Sequence, residues 1–485
     1  MLVAMLFAGR LVLLASHIPL DYNEGWNAFH TRALMHSGAL YPSADSLIGN
    51  NYPPLSFLIV GLFARTLGIA DLILAGRLVS LVAMLAVAIQ VALLTYRLAY
   101  PGHSRHTAAV FAPLLFLAYV LTEFRAYAVT ADPQWIGHAL MLAGLLALLW
   151  HRPNPDADNS LGIRPSRIPA IRALPSALLV LAGGMVKHNL IALPAAAGLW
   201  LLFYDRRALT IWIAVALTGL AALFALDQTR FGGFMLTSVL DPPRTYSLAR
   251  MAVHAAIALP LLPLLACAFS LLPLRRRDNR LDALLVGSLF GLAIGVVQGA
   301  GAGVDVNAFF EALILLAVAG PLGFVQWRKS TPSRRLMAMQ ALPLAVMMPW
   351  GLWISFDEIR TRAAAEADAR AMVTAIAATP GLAACEMLAL CYWAGKDFSV
   401  DFFRVGQVYA LGRDNARLDA VIAKRDFAAV QVEATDCDPR IGPVAALLHT
   451  RYRPALTQRD RTLYRCDDCK RLHPTCNSWT HPGDR

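Results

Sequence analysis

The stretch ADLILAGRLVSLVAMLAVAIQVALLTY, residues 70–96, carries only Asp71 at its start and Arg77 inside as charged residues. At about 1.5 Å of rise per residue, such a run is long enough to cross a hydrocarbon layer of roughly 30 Å. Lipid offers no partner for backbone N–H and C=O groups, so the run must satisfy them internally as a helix or laterally as a barrel strand. It lacks the polar–apolar alternation of a barrel strand, which leaves the helix. The same texture recurs near 2–19, 108–122, 134–150, 174–187, 190–204, 209–226, 249–273, 282–299, 306–325 and 337–354. The chain therefore reads as mainly α: a polytopic membrane protein with about eleven transmembrane helices. Its overall composition agrees. Of 485 residues 57% are hydrophobic and 15% charged, whereas soluble domains average about 45–50% and roughly 25%; mean hydropathy is +0.52.

Charge placement orients the spans. The formal net charge is +11, and its arginines gather in short loops. These hold Arg97 and Arg105; Arg152, Arg164, Arg167 and Arg172; Arg206 and Arg207; Arg275, Arg276, Arg277 and Arg280; and Arg328, Lys329, Arg334 and Arg335. Counting spans puts every one of these loops on one side, the positive-inside pattern of a multi-pass protein of the cytoplasmic (inner) membrane. The distribution argues against nucleic acid as a partner. The N-terminus is then cytoplasmic, and everything after Ser355 is extracytoplasmic. Arg10 interrupts the first segment, for which a cleaved leader is the rival reading; either choice leaves Asp21 outside.

Two parts follow. Residues 1–354 form the transmembrane domain, with a long first outer loop at 20–69 that has helix-like and Pro-rich parts and is expected along the membrane surface. Shorter outer loops cover 123–133 and 227–248, and the inner segment 151–173 is a Pro- and Asp/Asn-rich connection. Residues 355–485 read as a small α/β domain: an amphipathic helix over 359–378, strand-like runs at 384–390 and 427–432, and a helix near Asn415–Lys424. Cys267 falls in a span, whereas Cys385, Cys391, Cys437, Cys466, Cys469 and Cys476 all lie in the tail. An even number of cysteines facing an oxidising compartment favours disulfides. The rival is a zinc site at Cys466, Cys469, His473 and Cys476.

Acidic and basic residues at the outer ends of the spans carry the functional signal, because charges are costly to keep near lipid. Asp21-Tyr-Asn-Glu24-Gly25 opens the first outer loop and Asn50-Asn51-Tyr52-Pro53-Pro54 follows it. Ala131-Asp132-Pro133 precedes another span. Each has a plain alternative. Asp21 and Glu24 have the spacing of a capping box, and Asp132-Pro133 suits a helix start. Lys187-His188-Asn189 breaks the apolar stretch 174–204 on the outer side, where basic residues are not favoured by topology. A snorkelling lysine is the bland reading there, and a phosphate ligand the functional one. Arg125 suits the same task. Asp305, Asn307 and Glu311 open a span outward; Asp305 reads as a cap, and Asn307 and Glu311 as substrate contacts.

This arrangement resembles the GT-C class of membrane glycosyltransferases, and more closely the bacterial relatives of the protein O-mannosyltransferases and the lipid A aminoarabinose transferase. The likeness rests on Asp21-Tyr-Asn-Glu24-Gly25, Gly38-Ala-Leu-Tyr41-Pro42, Tyr52-Pro53-Pro54-Leu55, Ala131-Asp132-Pro133, Lys187-His188-Asn189 and the run from Gly301 to Glu311. The tail from Cys385-Glu386 through Ala394-Gly395-Lys396 to Asp401 resembles an outer domain of some such enzymes. The resemblance implies a polyprenyl-phosphate-linked sugar as donor and a glycan, lipid or protein hydroxyl as acceptor. It implies Asp21 as general base, Glu24 as its acidic partner and Asp132 as a further contributor to the site. Many members carry an adjacent Asp-Glu pair where two residues separate Asp21 from Glu24, so the base role stays open between them. No ligand spacing demands a metal, although a divalent cation bridging phosphate and carboxylates is compatible. A transporter of a lipid-linked or small polar substrate is the alternative. It would place its polar breaks near mid-bilayer and show repeats, whereas here the breaks lie at the outer ends. A membrane-anchored binding protein working through its tail is the third reading.

Overall fold

The computed structural model describes residues 1–43, 46–99, 103–150, 168–274, 278–326, 331–412, 427–433, 452–458 and 461–465. The opening stretch forms the helix Leu72–Leu98, started by Asp71, whose carboxylate accepts from Ile73 N at 2.9 Å. Asp205 starts Arg206–Arg230 in the same way, accepting from Ala208 N at 3.0 Å. Such caps satisfy amides that the first helical turn leaves without partners. Among the described residues, seven helices are long and apolar enough to cross a membrane, and five shorter apolar ones, including Leu2–Leu11, Gln134–Leu149, Ala170–Val186 and Ala192–Tyr204, accompany them. The chain is a mainly helical, multi-span membrane protein.

Several elements depart from the sequence reading. The first segment is helical only over Leu2–Leu11; Arg10 is buried and pairs with Glu358 at 3.1 Å. The stretch 249–273 remains one span-length element, Leu248–Leu274, but it is broken at its prolines into Leu248–Ile257, the 3-10 turn Leu259–Leu261, Leu262–Phe269 and a second 3-10 turn Leu272–Leu274. A proline lacks the donor for the preceding turn and its ring crowds the carbonyl there. The last span and the amphipathic helix expected over 359–378 are one continuous helix, Thr331–Ala377.

The helical core is tight where small residues let backbones approach. A Cβ on Gly144 would stand 2.8 Å from the carbonyl oxygen of Ser176, and the Ser176 hydroxyl donates to Gly144 O at 2.7 Å. Gln134–Leu149 and Ala170–Val186 are held together there. Nearby, Trp135 stacks on Phe310 with ring centroids 4.3 Å apart and meets Phe116 edge-on at 5.7 Å. Its indole N–H donates to Tyr127 O at 2.8 Å. Pairs of this kind add roughly 0.5–1.5 kcal/mol beyond their burial.

The long first loop contains two helices, Tyr22–His36 and Leu55–Leu67. The tail carries a four-stranded sheet of order β1-β2-β4-β3, with β1 Leu382–Cys385, β2 Phe427–Val432, β3 Arg453–Gln458 and β4 Arg461–Arg465. β1 and β2 are parallel; the other pairs are antiparallel. The strand expected over 384–390 stops at Cys385. Residues Leu388–Trp393 are helical instead, and a Cys385–Cys391 disulfide closes that turn. The helix expected near Asn415–Lys424 lies outside the described residues, as do Cys437, Cys466, Cys469, His473 and Cys476. Tail and first loop interlock: a Cβ on Gly25 would stand 2.1 Å from the backbone nitrogen of Ala389.

Candidate active site

A cavity of about 850 Å³ lies where the first loop, the ends of several helices and the tail converge. Asp21, Tyr52, Lys187, His188 and Asn307 line it. These residues come from four separate parts of the chain, so the cavity exists only once the bundle has assembled.

Asp21 is partly buried. It caps Tyr22–His36, accepting from Asn23 N at 2.8 Å. Burial pushes its carboxyl up to about 7; the hydrogen bond from Asn23 opposes this, and the nearby carboxylates Asp132, Glu24 and Asp305 add to it. A carboxylate poised near neutrality suits proton abstraction. Glu24, one turn on, does not reach the cavity. It is fully buried and held by Arg77 Nε and Nη2, each at 2.7 Å. It also accepts from Leu20 N at 2.9 Å and Ala131 N at 3.1 Å.

Lys187 follows the last turn of Ala170–Val186, where the chain leaves the helix. Its Nζ stands 5.0 Å from the Tyr52 ring centroid and 3.9 Å from Asp132 Oδ1. Asp132 is itself buried and does not line the cavity, with Oδ1 accepting from Gln134 N at 2.8 Å. Burial raises the Tyr52 hydroxyl, and the Lys187 ammonium works against that. Burial, Lys187 and Arg244 lower His188 to about 4, so this imidazole is neutral at pH 7. The backbone carbonyl of Asn307 accepts from Gln134 Nε2 at 3.1 Å.

Arg125 and Glu311 lie elsewhere. Arg125 forms a two-pronged pair with Glu358 at 3.0 and 2.8 Å. Glu311 is buried and accepts from Ala192 N at 3.1 Å and Leu193 N at 2.7 Å, closing the start of Ala192–Tyr204. Neither lines the cavity.

Sequence reasoning missed several lining residues. Arg244, in the outer loop 227–248, adds a second cation near Lys187 and Tyr52. Asp305 lines the cavity too, accepting from Tyr127 Oη at 2.9 Å. The tail contributes Glu386, Asp401, Phe403 and Arg404, among others. A topological signal existed for Arg244, a basic residue on the outer side. In the sequence, the tail segment Glu386 to Asp401 carries only a resemblance to an outer domain, and its approach to the cavity depends on the tertiary fold. Among the described residues, no three His, Cys, Asp or Glu side chains converge as metal ligands.

No protein-family model matches the chain, and no curated protein matches its sequence. Solved structures do match its fold over nearly the full length. ArnT from Cupriavidus metallidurans in the apo state superposes with a TM-score of 0.59 at 13% identity, covering 96% of each chain. The same protein bound to undecaprenyl phosphate gives 0.54 at 11% identity, covering 95% of this chain and 97% of that one. The Archaeoglobus fulgidus oligosaccharyltransferase tethered with an acceptor peptide gives 0.50 at 11% identity, covering 96% and 74%. The chain thus shares the fold of GT-C membrane glycosyltransferases.

Proposed function

We propose that this chain is an inverting glycosyltransferase of the cytoplasmic membrane. It would move a sugar from a polyprenyl-phosphate donor to an acceptor hydroxyl on the outer face, with Asp21 as general base. The reading includes eleven spans: the seven long helices and the short ones Leu2–Leu11, Gln134–Leu149, Ala170–Val186 and Ala192–Tyr204. One observation carries it: a single cavity lined by a carboxylate poised near neutrality and by the cations Lys187 and Arg244. Two solved proteins of the same fold support the substrate classes, one bound to undecaprenyl phosphate and the other tethered with an acceptor peptide.

The chemistry follows from charge. Asp21 takes the proton of the acceptor hydroxyl as that oxygen attacks the anomeric carbon, within about 2.6–3.2 Å of the carboxylate. The transition state has oxocarbenium character, which a nearby carboxylate stabilises. Attack from the face opposite the leaving phosphate inverts the anomeric centre. Lys187 and Arg244 meet the charge that builds on the phosphate, and Tyr52 and His188 act as its hydrogen-bond partners. Asp132 holds the Lys187 ammonium in place. Asn307 contacts the sugar. Glu24 acts through position, by fixing the turn that presents Asp21. The donor set matches a phosphate met by side-chain cations, and no step here runs through a divalent ion.

The test compares membrane lipids and envelope glycans by mass spectrometry in cells with the gene, without it, and with Asp21→Asn. One sugar missing from one product in both the deletion and the Asp21→Asn strain is expected. Identical products in the parent and Asp21→Asn strains would refute the assignment.

A further inference from the structure

We infer that Asp401 of the tail is a positioning residue for Asp21, acting through the hydroxyl of Tyr22. The inference rests on the reading of Asp21 as base and extends it to a group contributed by a distant part of the chain. Tyr22 is the first residue of the helix that Asp21 caps. Its Oη donates to Asp401 Oδ1 at 2.6 Å. Trp26 lies four residues on, over the same helix face, and its indole N–H donates to Asp401 Oδ2 at 3.3 Å. The two oxygens of one carboxylate therefore grip successive turns at the start of the helix that Asp21 caps.

Asp401 is in turn held firmly. It is 5% exposed. It caps Phe402–Ala410, with Oδ1 accepting from Arg404 N at 2.9 Å, and its own N–H donates to Leu47 O at 3.0 Å. The segment leading to Tyr52 is seated on the same helix, since a Cβ on Gly49 would stand 2.7 Å from Arg404 Cδ. Asp21, Tyr22, Trp26, Tyr52, Asp401 and Arg404 all line the cavity.

Capping alone does not account for Asp401. A cap needs one side-chain oxygen, and Ser or Asn would supply it without burying a charge. Beyond the cap, Oδ1 also accepts from Tyr22 Oη and Oδ2 accepts from Trp26 Nε1, and hydrogen bonds to an ionised acceptor are roughly twice as strong as neutral ones. What they hold is the turn whose cap is Asp21, and misplacing a reacting group by about 1 Å costs on the order of 100-fold in rate.

The experiment uses the full chain in detergent with Tyr22→Phe, Asp401→Asn and the double variant. Tyr22→Phe removes one hydroxyl and keeps the ring, so it preserves packing. Dicyclohexylcarbodiimide, which labels protonated carboxyls in apolar surroundings, is the probe. Labelling of Asp21 is followed against pH by peptide mass spectrometry, and the sugar-bearing product is quantified in cells in parallel. In the parent, labelling should be lost through about pH 7. Either single variant should lower that midpoint by about one pH unit or more as water reaches the loosened turn, and the double variant should lower it no further. Product should fall at least roughly tenfold in each. Midpoints and product at parent values in Tyr22→Phe and Asp401→Asn would overturn the inference, as would shifts that add in the double variant. A shifted midpoint with full product in Asp21→Asn would instead retire the base assignment and leave the Asp401 contact standing.

Discussion

Arg77 and Glu24 form a closed, fully desolvated pair. The guanidinium meets both carboxylate oxygens at 2.7 Å, and the two side chains are 1% and 0% exposed. Arg77 also donates to the carbonyls of Leu13, Ser16 and Ile18 at 3.0, 2.7 and 2.8 Å. The helix Leu72–Leu98 thus ties down the chain that leads into the first loop. Removing one partner strands the other charge, which costs about 3–5 kcal/mol. Glu24→Gln and Arg77→Ala should therefore both lower thermal stability in detergent by that order and reduce yield. Full stability in Glu24→Gln would count against the pair as an anchor.

Asp21 gives a pH signature. A base must be ionised, so product formation in membranes should rise with pH through about 7 and level off above it. Its effect on stability has the opposite sign. With the folded carboxyl raised above its ordinary value, the native state binds the proton more tightly than the unfolded chain. Stability from this group is therefore full at low pH and is lost as pH climbs toward 7. Asp21→Asn, which keeps an oxygen for Asn23 N–H, should lose activity by roughly 100-fold or more and melt no lower than the parent at pH 8. A lower melting point there would show that Asp21 serves the fold first.

Lys187 has two duties, one toward the cavity and one toward buried Asp132. Lys187→Ala should abolish transfer and also destabilise, because Asp132 is left without its cation. Adding Asp132→Asn should restore melting temperature without restoring product. Recovery of product in the double variant would remove Lys187 from the site.

Glu311→Gln should act on the fold alone. One of the two amides it satisfies at the start of Ala192–Tyr204 loses an acceptor, worth about 1–2 kcal/mol. Melting curves should move while product per folded molecule stays at the parent level; a selective loss of product would return Glu311 to the substrate contacts.

The spans were legible because lipid forces long apolar runs into helices, and residues 70–96 needed little else. Broken and short elements were harder, since Pro260 and Pro263 act through geometry that an apolar run hides. The cavity was legible where a charge sat at an outer mouth, as Asp21, Lys187 and His188 do. Glu24, Arg125 and Glu311 met the same criterion, yet each found a partner elsewhere in the fold: Arg77, Glu358 and the amides of 192–193. Nothing local distinguishes a carboxylate that faces substrate from one that meets an arginine across the bundle. Asp401 was hidden for the same reason, lying 379 residues from the hydroxyl it accepts.

The uninterrupted helix Thr331–Ala377 has a mechanical meaning. It joins the tail to the bundle as a stiff strut and not as a tether, and Glu358 pins it midway to Arg10 and Arg125. Any displacement of the tail against the spans has to be taken up by bending this one helix or by parting Glu358 from its two arginines.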